Sequence, residues 1–186
     1  MSPLLIVLLL LGVVSGAFKP EREFEIKQTS LLNNGRSYTI TDTSKSAVKD
    51  AEALYTISND LISLGKKLVL LEKGQPLYEL KHKLGHLYQK WNIYDVKANE
   101  NIGTLRHRPS IIRDSYKLKS TKFGNFRVTG NIGNRTFSIK KNGRKVAEIQ
   151  KKLLHVHDTY RVQIEANQDP AIILLLTIGI DEIRKH

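Results

Sequence analysis

The sequence predicts a mainly β fold of ten to twelve short strands, a sandwich or a barrel. Three observations carry that expectation. Apolar and polar residues alternate in short runs from Phe24 to Glu165, as half-buried strands require. Turn residues punctuate these runs at regular spacing, most clearly at Asn142-Gly143, where both residues tolerate positive φ. No stretch between 18 and 165 sustains a helical period, with Thr43 to Tyr55 alone ambiguous.

The chain starts with a segment that stands outside this pattern. Residues 4–14 form an uncharged apolar run of 11, followed by Ser15-Gly16-Ala17 with its small side chains. A membrane-spanning helix needs about 20 apolar residues, so the run is too short to span and reads as a secretory signal. Cleavage is expected between Ala17 and Phe18. Residues 1–17 carry no charge, so 18–186 keep the full net charge of +12 and form a single domain with no transmembrane span. The chain has no cysteine, which excludes disulfides, thiolate metal sites and a cysteine nucleophile. A fold in an oxidising compartment without disulfides must bury a substantial core. One sequon, Asn134-Arg135-Thr136, makes Asn134 a glycosylation candidate on that route.

The strands follow in order. Phe24-Glu25-Ile26-Lys27 and Tyr38-Thr39-Ile40-Thr41 alternate. Residues 66–71 and 76–81 flank Glu72-Lys73-Gly74-Gln75, a charged glycine-containing turn, and read as a hairpin. Trp91–Tyr94 turns through 97–101 into Ile102–Leu105. Phe137–Lys140 turns through Asn142-Gly143 into Lys145–Ile149.

The C-terminus differs from everything before it. Asp169 suits a helix N-cap and Pro170 the first helical position, where a missing N–H costs nothing. Arg184 and Lys185 would meet the negative end of the helix dipole. From Ala171 to Ile180 the segment is apolar on every side, so a helix here must be enclosed. A buried strand is the competing reading, given its Ile content.

These features, in this order, resemble the LURP-one-related family of the tubby C-terminal-like superfamily. The likeness is carried by Phe24–Gln28 with Tyr38–Asp42, by Lys66–Leu70 with Gly74–Tyr78, and by Gly143-Arg144-Lys145-Val146-Ala147-Glu148-Ile149. Asp158-Thr159-Tyr160-Arg161-Val162 and the ending from Asp169 to Ile183 complete it. The resemblance implies a closed antiparallel barrel of about twelve strands threaded by a hydrophobic C-terminal helix. Family members are mostly intracellular and many have no assigned activity. The wider superfamily includes phosphoinositide-binding tubby domains and phospholipid scramblases. A signal segment, and the lack of the scramblases' long Pro-rich N-terminal region, set this chain apart.

Charge gives the sharpest functional pointer. Between Thr104 and Arg161, 15 Lys and Arg face only Asp114, Glu148 and Asp158, so this segment carries the whole +12. Residues two apart on a strand share a face, which groups Arg106 with Arg108 and Lys117 with Lys119. Lys140, Lys141, Arg144, Lys145, Lys151 and Lys152 cluster around the Asn-Gly hairpin and its second strand. If these hairpins adjoin, they build a basic wall for an anionic partner. Nucleic acid is a poor fit, because Phe123, Phe126 and Phe137 fall at core-like positions rather than among the cations. Anionic phospholipid head groups at a membrane surface, or acidic polysaccharide, fit better.

No catalytic constellation stands out, and no cofactor or metal is expected. His155-Val156-His157 places two imidazoles on one strand face, but a metal needs a third ligand from elsewhere. The sequence lacks HExxH, GxSxG and P-loop patterns. It therefore points to a secreted, non-enzymatic binding module for an anionic ligand. The alternative is a structural or matrix component of an extracellular layer, such as a shell or cuticle.

Overall fold

The structure, a computed structural model, describes residues 17–30, 37–44, 52–60, 67–85, 89–109, 115–131, 135–154 and 157–184. The signal segment up to Gly16, the sequon Asn134 and His155 lie outside the described residues.

Twelve strands are present among them: β1 (Arg22–Ser30), β2 (Ser37–Asp42), β3 (Tyr55–Asp60), β4 (Lys67–Glu72), β5 (Gln75–His82) and β6 (Lys90–Asp95). β7 (Glu100–Arg108), β8 (Ser115–Ser120), β9 (Gly124–Asn131), β10 (Thr136–Lys141), β11 (Arg144–Leu154) and β12 (His157–Ile164) complete the set. Each pairs antiparallel with its neighbours in sequence, and β1 pairs with β12, closing the barrel. Closure removes the exposed strand edges that invite aggregation. Of the two architectures open to the sequence, the barrel is the one formed.

Alternation sets the register. β4 runs Lys67 out, Leu68 in, Val69 out, Leu70 in, and β2, β6, β8 and β10 repeat the pattern. Two hairpins show the turn chemistry clearly. Lys73 and Gly74 have φ of 47° and 79°, and Asn142 and Gly143 have 49° and 83°. Positive φ at both central residues twists the connection to match the strands on either side.

The interior is filled by α1 (Pro170–Arg184). Asp169 caps it: its Oδ1 accepts the Ala171 N–H at 2.8 Å and the Ile172 N–H at 3.3 Å. Helix therefore wins over strand at the C-terminus. Every residue from Ala171 to Ile183 is buried, which only an enclosing sheet can arrange for a helix apolar all round. Each enclosed Leu or Ile contributes roughly 1.5–3 kcal/mol of gross transfer free energy. Gly179 marks the closest approach to the wall, since a Cβ there would sit 2.4 Å from Leu80 Cδ2.

Several polar groups in the core are held by partners. The Thr177 hydroxyl donates to the Ile173 carbonyl at 2.8 Å. At the far end of α1, the Tyr38 hydroxyl donates to Glu182 Oε1 at 3.1 Å. Lys151 donates to Asp181 at 3.0 Å and lies 2.9 Å from Asp158. Two carboxylates near a helix C-terminus oppose the dipole, so these partners are what makes their burial tolerable. Burial, then the neighbouring Asp181 carboxylate, pushes the Tyr160 hydroxyl up and keeps it protonated.

Candidate functional site: a cationic line on the outer wall

On β7 and β8 the inward positions are Leu105, Tyr116 and Leu118, which turns Arg106, Lys117 and Lys119 to the outside. On β9, Arg127 lies between buried Phe126 and Val128; on β10, Lys140 follows buried Ile139. Strand pairing then does what sequence spacing alone does not reveal. Arg106 is the register partner of Lys117, Lys117 of Arg127, and Arg127 of Lys140. Lys90 on β6 extends the line by pairing with Arg106, and Lys145 on β11 pairs with Lys140. Six successive strands thus present a cation at the same level.

Arg108 and Lys119 flank this line. Because β7 and β8 run in opposite directions, the two lie on opposite sides of it. The described residues from Asn101 to Lys141 contain no Asp or Glu. Lys90, Arg106, Arg108, Lys117, Lys119, Arg127 and Lys140 accordingly form no ion pair with a described carboxylate.

The electrostatics register this crowding. The Arg108 and Arg127 guanidiniums, with a smaller contribution from Lys119, hold the Lys117 ammonium below its ordinary value. Lys90 is lowered too, first by lost hydration and then by Lys83 and Arg106. Lys122, on the turn after β8, shows the opposite case. Its bond to Asp95 at 2.7 Å raises its pKa and lowers that of the carboxylate.

The ten cations singled out in the sequence divide on this geometry. Arg106, Arg108, Lys117, Lys119 and Lys140 come together on one face. Lys141 turns to the rim, with its ammonium 5.3 Å from the Phe126 ring centroid. Arg144 donates to both Glu165 oxygens at 3.0 and 3.1 Å, and Lys145 pairs with Glu148 and covers the Phe18 ring. Lys152 lies 3.9 Å from Glu25. Lys151 faces the helix rather than solvent, because it shares a side of β11 with buried Ala147 and Ile149, while the bulge at Val146 puts Lys145 on the other side. Arg127 and Lys90 also belong to the face, although sequence spacing does not single them out. The alternation Phe126-Arg127-Val128 already turns Arg127 outward, but only the register places it between Lys117 and Lys140.

Two flanking lines complete the face. Arg108, Ser115, Thr129 and Ser138 are successive partners on one side, and Asn92, Thr104, Lys119 and Asn125 on the other. Thr104 donates to Asn92 Oδ1 at 3.2 Å, tying β7 to β6 there. Leu84 is the exposed large apolar side chain among the described residues, and it lies in the β5–β6 connection, next to Lys83, whose N–H donates to the Lys90 carbonyl. Among the described residues, no three His, Asp or Glu side chains gather as a metal site. No described helix is long and apolar enough to cross a membrane.

A sequence model of a family described as LURP-one-related matches residues 22–181, from the first strand to the last turns of α1. The chain is also similar to Protein LURP-one-related 8 of Arabidopsis thaliana, with 26% identity over 168 residues covering 83% of each chain.

Proposed function

Because this chain belongs to the LURP-one-related family of tubby-like barrels, and carries on one side of that barrel a row of cations that form no ion pair with a described carboxylate, we propose that it is a secreted, non-enzymatic binding module for an anionic ligand. The observation that carries the reading is the register-matched row Arg106, Lys117, Arg127 and Lys140. Like charges placed directly opposite one another across a sheet destabilise it. A ligand that brings negative charge to the row relieves that repulsion, so binding and fold share an electrostatic gain. A merely solubilising surface needs no such row. Interspersed charge serves that purpose, as on β5, where Glu79 lies between Lys67 and Lys81. The apolar run at 4–14 supports the secreted route.

The test is retention of the full chain on immobilised heparin and on phosphatidylserine vesicles. Retention is expected at about 0.15 M salt and is expected to be lost as added salt shortens the screening length. Lys117→Glu/Lys140→Glu is expected to abolish it. Lys19→Glu/Lys97→Glu, with the same net charge but off the face, is expected to preserve it. Equal loss in both variants would reduce the effect to net charge and defeat the proposal.

A further inference from the structure

The cations of the outer face form a line rather than a disc. Lys90, Arg106, Lys117, Arg127 and Lys140 are register partners on five successive strands, so the line runs across the strands. Neighbouring strands lie about 4.8 Å apart, which makes the line about 19 Å long. The parallel lines beside it each add one cation, Arg108 on one side and Lys119 on the other, and otherwise hold neutral hydroxyl and amide groups: Ser115, Thr129 and Ser138 beside Arg108, and Asn92, Thr104 and Asn125 beside Lys119.

Each property narrows the ligand. Regular charge along one direction matches a chain with repeating anionic groups. Hydroxyl and amide flanks match neutral hydrogen-bonding groups spread along that same chain. A bilayer fits less well, for two reasons. The wall is convex, so a line across five strands curves away from any plane laid against it. Surface-bound proteins also bury apolar side chains among the acyl chains, and among the described side chains of β6 to β10 no large apolar one is exposed. Resting on the anion-binding reading above, we infer that the ligand is a linear acidic polysaccharide, sulfated or carboxylated. It lies across β6 to β10, with its anionic groups on the cationic line and its hydroxyl groups on the flanks.

The experiment uses the full chain and three probes: size-fractionated heparin oligosaccharides, inorganic polyphosphate, and phosphatidylserine vesicles. Affinity for heparin fragments is expected to climb with length until a fragment spans about 19 Å, then to level off per site. Arg106→Gln, Lys117→Gln and Arg127→Gln are each expected to reduce the slope of log affinity against log salt by about one, as each removes one released counterion. Asn125→Ala/Thr129→Ala is expected to weaken heparin several-fold and leave polyphosphate unchanged, since polyphosphate has no hydroxyl groups for the flanks. Circular dichroism of each variant checks that the barrel is intact. Length-independent affinity, or equal effects of the flank variant on heparin and polyphosphate, would overturn the polysaccharide assignment. Vesicle binding that depends on the line, with no heparin binding, would overturn it too while leaving the anion-binding reading in place. Failure with all three probes would remove both.

Discussion

Arg106 and Lys117 stand directly opposite each other across the β7–β8 pair and carry the same charge. No described carboxylate lies between Asn101 and Lys141 to separate or neutralise them. The fold bears this juxtaposition in its resting state, and Arg108 and Arg127 add to the crowding by holding the Lys117 ammonium below its ordinary value. Residues kept for binding often cost stability in this way.

Replacing Lys117 by Gln should therefore stabilise the barrel. The gain should be largest in about 0.01 M salt, where charges interact over roughly 30 Å, and should shrink toward 1 M, where the range is about 3 Å. Urea midpoints of wild type and variant at both salt concentrations measure it. A variant less stable at low salt would show that Lys117 contributes packing rather than repulsion.

The Lys151 ammonium is the opposite case, since it holds Asp181 and Asp158 at the mouth of the barrel. Lys151→Met removes a described cation from a carboxylate that is only 6% exposed. The expected cost is about 3 kcal/mol. Lys151→Met/Asp181→Leu should recover most of it, because the stranded charge is gone. Denaturant titrations of the single and double variants decide the matter; equal losses in both would point to lost packing.

Gly179 lets α1 approach β5 at Leu80. Gly179→Val is expected to cost about 1–3 kcal/mol through overpacking, despite removing a glycine from a helix. Leu80→Ala opens room at the same place, so the two substitutions should be strongly non-additive in a double-mutant cycle. Additive losses would mean that the contact is slack.

The Arg161 guanidinium donates to Glu23 at 2.6 Å and holds that carboxyl below its ordinary value, with Gln163 assisting. A depressed carboxylate stabilises the fold fully above the unfolded value, near pH 4.5, and loses that contribution as pH falls through the native one. Arg161 is 43% exposed, so solvent screening keeps the pair within about 1 kcal/mol. Arg161→Met should lower stability at pH 7 and flatten its decline in acid. Parallel acid profiles for wild type and variant would contradict this.

Much of the barrel was legible from local chemistry. The hairpins at 67–82 and 136–154 declare themselves through alternation and through turns that require positive φ. Asp169-Pro170 announces a helix start, and an all-apolar segment after it demands an enclosure. The face was only half legible. Arg106/Arg108 and Lys117/Lys119 share a side because side chains alternate, which the sequence displays. Which cation meets which depends on register, and bulges beside Ile93 and Ile139 shift that register by a residue. Arg144, Lys145 and Lys151 look as free as Lys117 in sequence. Their carboxylates at Glu165, Glu148 and Asp181 come from just past a later strand, from the same strand beyond a bulge, and from the enclosed helix.

The order of the parts along the chain also governs when the barrel can form. β1 finds its second partner only in β12, Glu23 meets Arg161 138 residues later, and the helix that fills the interior follows both in the chain. Contacts this distant in sequence are slow to form, and a ring of strands without its central helix has no core. The chain must then stay unfolded until its final residues emerge. Closure and filling of the barrel thus wait for α1, the element that all twelve strands surround.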